Sequence, residues 1–102
     1  MREVAEASII VDSWVVSDGS QSEFLTALDA MYARLEQLDG FLGGAVLEGV
    51  DRTRFVTYGR WRSAQDREAA FLDSEIDAMM RRIGGIARTN PHAYSVVRRF
   101  GS

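Results

Sequence analysis

Asp12 is the side chain of this 102-residue chain best placed to move a proton. It stands inside the apolar run Ile9-Ile10-Val11-Asp12-Ser13-Trp14-Val15-Val16. A carboxylate among apolar neighbours loses hydration, so its pKa rises and it becomes a base toward a phenol or an activated C–H bond. Alternate residues of a strand share a face, which puts Asp12 with Trp14. In the stretch Arg54 to Trp61, the same rule groups Phe55, Thr57, Gly59 and Trp61. Gly59 leaves room there for a planar ligand, and the Thr57 hydroxyl can hydrogen-bond an oxygen of it. The plainer alternatives are that Asp12 pairs with an arginine and that Trp61 fills a subunit interface. Asp12, Thr57 and Trp61 are therefore the candidate catalytic residues. Trp14, Phe55, Tyr58, Gly59, Phe71 and Met79 are the candidate substrate-binding residues.

Other chemistries find little footing. The chain has no cysteine and one histidine, so no transition-metal site and no cofactor are expected. That histidine, His92, follows Pro91 in an expected loop; it titrates near neutrality in principle, but a lone loop histidine is more often simply exposed. Gly43-Gly44 and Gly84-Gly85 lack the spacing of a phosphate-binding loop, and no nucleophilic triad is visible. All twelve basic residues are arginine, and the net charge is −3, which argues against nucleic acid as a partner. The uniform use of arginine reads as coding bias. Arg81-Arg82 and Arg98-Arg99 read as solvated pairs; attraction of an anionic substrate or an acyl-carrier protein is the alternative. The longest apolar runs are far short of the roughly 20 residues needed to cross a bilayer. No secretion signal is evident, so a cytoplasmic protein is expected.

The elements that position these residues follow from periodicity. Residues 1–7 read as a loose lead-in, and Ser8 to Val16, rich in β-branched residues, as a strand. Ser20 and Glu23 have the spacing of a capping box, and Phe24, Leu25, Leu28, Met31, Tyr32, Leu35 and Leu38 then recur at helical spacing. Asp39-Gly40 ends that helix. Phe41 to Val50 is the second strand, where paired glycines predict a bulge or a close approach. Asp51 to Thr53 is a hairpin turn, and Arg54 to Trp61 the third strand. Ser63 with Asp66 caps a helix to about Phe71, and Asp73-Ser74 restarts it. Leu72, Ile76, Met79, Met80 and Ile83 form a second apolar stripe; both methionines read as core, Met79 also as pocket wall. Asn90-Pro91-His92 is an expected loop and Ala93 to Phe100 the last strand. The order β-α-β-β-α-β predicts one α+β domain over residues 1–102, core about 8–100, a ferredoxin-like sandwich. The more apolar side of the first strand, Ile9, Val11 and Val15, is assigned to the helices. The opposite side, carrying Asp12, Trp14, Phe55 and Trp61, is then uncovered, and a second identical subunit is expected to roof it.

Several stretches resemble the antibiotic-biosynthesis monooxygenase family. They are Arg54-Phe-Val-Thr-Tyr-Gly-Arg-Trp-Arg-Ser63, its continuation Ala64 to Asp73 with Ser74-Glu75, the strand entry Leu38-Asp-Gly-Phe-Leu-Gly43, and Tyr94-Ser-Val-Val97. The likeness runs from about residue 8 to 100. It implies a dimeric αβ barrel and, in some members, oxygenation of anthrone- or quinol-like polyphenols without metal or flavin. Such substrates, once ionised, can themselves give an electron to oxygen, so the protein need only take a proton, hold the anion and exclude water. Where several family oxygenases have asparagine four residues before the tryptophan, this chain has Thr57; where some have a helical tyrosine, it has Arg67. Haem-degrading relatives hold iron through a helical histidine, which neither helix contains. The resemblance implies a cofactor-independent monooxygenase of a polyketide-like aromatic, with molecular oxygen as co-substrate. A cyclase of the same fold and a non-catalytic accessory subunit remain alternatives.

Overall fold

The computed structural model describes residues 8–101; the lead-in read at residues 1–7 lies outside them. The elements are β1 (Ser8–Val16), α1 (Gln21–Leu35), β2 (Phe41–Glu48), β3 (Arg54–Trp61), α2 (Ala64–Ala70), α3 (Ser74–Ile83) and β4 (Ala87–Ser95). The four strands form one antiparallel sheet in the order β2-β3-β1-β4. This is the ferredoxin-like α+β arrangement, with the helices on one face of the sheet. No helix among the described residues is long and apolar enough to cross a membrane.

The helices begin where the local chemistry supplies acceptors for their first N–H groups. Ser63 has extended backbone, and its hydroxyl accepts from the Asp66 N–H at 3.1 Å. The Asp73 carboxylate accepts from the N–H groups of Glu75 and Ile76 at 3.0 and 3.1 Å. Asp73 also takes the Arg34 guanidinium at 2.6 Å, tying α3 to α1. The expected capping box at Ser20 does not form: with φ −105° and ψ 8°, Ser20 makes no side-chain cap. Its backbone bonds instead, accepting from the Phe24 N–H and donating to the Ser17 carbonyl, both at 2.9 Å.

The core corrects the assignment of sheet faces. Trp14, Val16, Phe55, Thr57 and Trp61 are buried together with Phe24, Leu28, Met31, Leu35, Ile76 and Ile83 of the helices. The helices therefore cover the aromatic side of the sheet, and Ile9, Val11 and Val15 lie on the open side. Both sides of β1 are apolar, but the tryptophans and Phe55 carry far more area, and burying them gains most. The rings interlock, with centroids 5.3 Å apart for Trp14–Phe24 and 5.0 Å for Phe24–Phe55.

β4 is also corrected: it starts at Ala87, not Ala93, and includes Pro91, paired with Asp12. As an edge strand it tolerates proline, whose missing N–H costs no ladder bond on the outer side. Residues 96–101 lie outside any strand.

Candidate active site

The sandwich is solid at the Trp14 end and hollow at the other. Between sheet and helices lies a cavity of about 320 Å³. Asp12 and Gly59 form part of its floor, Trp61 and Phe41 one wall, and Tyr32 and Phe71 the helical side. This cavity lies within one protomer, on the helix-covered side of the sheet.

The polar groups sit at defined places along it. In the antiparallel register Asp12 pairs with Thr57, Ile10 with Gly59, and Ser8 with Trp61. Asp12 lies at one end, half-buried, accepting a hydrogen bond from the Thr89 hydroxyl at 3.0 Å. Burial pushes its carboxyl above the usual 3.8, and the Thr89 bond only partly opposes this. Tyr32, from α1, faces the same end. Burial raises its phenol above the usual 10.0; the Thr57 hydroxyl works against that shift and the charge of Asp12 adds to it. The phenol therefore stays protonated and can donate.

Midway, Gly59 keeps the floor low. A Cβ there would stand 3.4 Å from the Phe41 ring and 3.7 Å from Trp61 Nε1. Phe41 is delivered to this point by a register shift between Phe41 and Gly43, with Gly43 at φ 132°. The Phe41 and Trp61 rings meet edge to face at 5.0 Å. Trp61 is buried, with its Nε1 close above Gly59 at the cavity floor. At the far end Arg67, from α2, donates from Nε to the Ser8 hydroxyl at 2.9 Å. No three His, Cys, Asp or Glu side chains among the described residues gather as metal ligands.

Four of the sequence candidates, Asp12, Gly59, Trp61 and Phe71, line the cavity together. Thr57 does not: its side chain is 1% exposed and its hydroxyl accepts the Trp14 Nε1–H at 2.9 Å. The same hydroxyl also lies close enough to Tyr32 to bear on its phenol. Trp14 and Phe55 belong to the solid core, and Tyr58 lies on the open face. Met80, not Met79, reaches the cavity. His92 pairs with Val11 on the open face, near Tyr94. Arg81 is exposed and bonded to Asp77 at 3.0 Å. Sequence reasoning missed Tyr32, concealed within a helical stripe of core residues, and Arg67 as a cavity residue. Their signal was the one hydroxyl-bearing side chain, a tyrosine, in an otherwise apolar stripe, and an arginine on the inward turn of a capped helix.

Comparisons with known proteins bear on the family and the fold. Residues 8–82 match the family model described as Antibiotic biosynthesis monooxygenase. No protein of curated function matches the sequence. The fold is similar to that of SnoaB, a cofactor-independent oxygenase from Streptomyces nogalater, with TM-score 0.90 and 14% identity over 96% of this chain and 100% of that one. It is also similar to a candidate antibiotic biosynthesis monooxygenase from Nitrosomonas europaea, with TM-score 0.84 and 14% identity over 99% of this chain and 100% of that one. PA3566 from Pseudomonas aeruginosa gives TM-score 0.82 and 12% identity over 95% of this chain and 100% of that one.

Proposed function

The chain belongs to the antibiotic biosynthesis monooxygenase family, and from that premise we propose that it is a cofactor-independent monooxygenase of an anthrone- or quinol-like aromatic. The observation that carries the reading is the raised carboxyl of Asp12 opening onto a cavity otherwise walled by aromatic and aliphatic side chains. Family membership and the SnoaB-like fold support it.

In this reading a flat substrate lies over Gly59, against Trp61 and Phe41. Asp12 takes a proton from its acidic CH₂ group, and the resulting carbanion is delocalised over the rings. That anion gives one electron to O₂, and the radical pair combines, forming a C–O bond. The peroxide oxygen regains the proton from Asp12. Asp12 then takes the remaining C–H proton, the O–O bond breaks, and hydroxide leaves with that proton as water. The sum is CH₂ + O₂ → C=O + H₂O. The protonated Tyr32 and the Trp61 Nε1–H, both lining the cavity, are donors for the oxygen anion as charge develops on it. The apolar lining, Met31, Leu35 and Met80 among it, limits water at the anion and so slows its reprotonation.

Oxygen uptake by the metal-free protein with an anthrone tests this. The expected result is one O₂ consumed per quinone formed. No uptake across a series of anthrones and quinols overturns the oxygenase reading, and product formed under nitrogen replaces it with cyclisation.

A further inference from the structure

We propose that Arg67 is the anchor for a carboxylate of the substrate, so that the cavity takes a flat aromatic bearing an acidic side arm and holds it in one orientation. The inference rests on the reading of this cavity as the substrate site and adds the substrate's charge and direction to it.

Arg67 lines the cavity with a side chain only 17% exposed. Its Nε is committed to the Ser8 hydroxyl at 2.9 Å, which fixes the plane of the guanidinium. Its one carboxylate neighbour is Glu68, 3.8 Å from an Nη and itself 71% exposed. That distance is too long for a hydrogen bond and the partner is largely in water. The guanidinium is thus held in a fixed plane at the wall of an otherwise largely apolar cavity, with no carboxylate in hydrogen-bond contact with it. A carboxylate on a ligand offers two acceptor oxygens in the geometry a guanidinium matches.

Direction follows from the other end. Asp12 and Ser8 are four residues apart on β1, roughly 13 Å along a strand. An acidic arm placed at the Asp12 end would meet a carboxylate. Placed at Arg67, it meets the fixed cation and leaves the ring carbon at the far end for Asp12 and Tyr32. Arg67 is thus a specificity residue that sets which ring position faces the base.

The test is quenching of tryptophan fluorescence by anthraquinone-2-carboxylate and by its methyl ester, both inert to oxygenation, at pH 7. The acid is expected to bind at least ten-fold more tightly than the ester. Arg67→Met removes that preference, bringing acid and ester to equal affinity, and Arg67→Lys keeps part of it. Equal binding of acid and ester to the wild-type protein overturns the anchor while leaving the cavity reading intact. So does a preference that survives Arg67→Met. Binding of neither compound overturns the cavity reading itself.

Discussion

Asp12 and Thr57 face each other across β1 and β3, and burial has opposite consequences for the two. The Thr57 hydroxyl is satisfied by the Trp14 indole; removing it would leave a buried N–H without an acceptor, which costs about 1–3 kcal/mol. Asp12 is desolvated and its one opposing hydrogen bond does not compensate. Its folded pKa lies above the 3.8 of the free carboxyl, so the unfolded chain gives up this proton first. Stability therefore falls as pH rises between the two values, and the cost is complete above the folded pKa. At neutral pH Asp12 weakens the fold, as expected of a group kept for chemistry. Asp12→Asn should lower turnover by about 10²–10⁴-fold while leaving the melting temperature at pH 7 equal or higher, since the amide oxygen can still accept from Thr89. The wild-type rate should fall on the acid side as Asp12 protonates, with its midpoint above 3.8. A lower melting temperature with unchanged turnover would make Asp12 a structural residue instead.

Gly44 and Gly59 are partners across β2 and β3, yet each is glycine for a different reason. A Cβ on Gly44 would run into the Tyr58 carbonyl oxygen, so the two backbones need its absence. A Cβ on Gly59 would meet only ordinary contacts with Phe41 and Trp61 and would stand on the cavity floor. Gly44→Ala should destabilise by about 1–3 kcal/mol in urea unfolding, the usual cost of forcing extra volume into packed structure. Gly59→Ala should leave stability unchanged or improved, because glycine weakens a strand, and should weaken binding of an anthraquinone about ten-fold or more, the worth of one methyl in a tight pocket. Equal losses of stability in both would remove the distinction. The elements themselves were legible: β1 and β3 run between the residues that alternation predicts, and α2 starts at its cap. What alternation cannot supply is the sign of the face. Ile9, Val11 and Val15 match Ile10, Trp14 and Val16 in number of apolar positions on β1; what decides is the aromatic area of Trp14, Phe55 and Trp61 taken across both strands, packed on Phe24, Leu28 and Ile76 of the helices. Asp12, Gly59 and Trp61 were still grouped correctly, because residues on one face move together whichever way the sheet is turned. Tyr32 was not, because a helix carries no strand parity to mark it as facing Asp12.

At the scale of the whole molecule, covering the aromatic face with helices leaves the other face of the sheet bare. Val11, Val56 and Tyr58 are half-buried there, and Val15 and Tyr94 are 49% and 53% exposed. Arg54, Arg60 and Arg88 share that face nearer its strand ends by register. An apolar centre with a charged rim is the anatomy of a protein interface, and a second copy of the chain, meeting the same patch through a twofold axis, is the simplest partner. The protein should therefore sediment at twice its 11.4 kDa, and Val11→Arg, which sets two like charges near the axis, should give a monomer with a lower melting temperature. Because the cavity is walled by one protomer on the other side of the sheet, that monomer should still bind an anthraquinone with little loss of affinity. On those outcomes, dimerisation stabilises the sheet that forms the floor of the site without contributing a wall to it. A wild-type monomer at micromolar concentration would remove the dimer from this account, and a Val11→Arg monomer that is folded but binds nothing would mean that the partner completes the site after all.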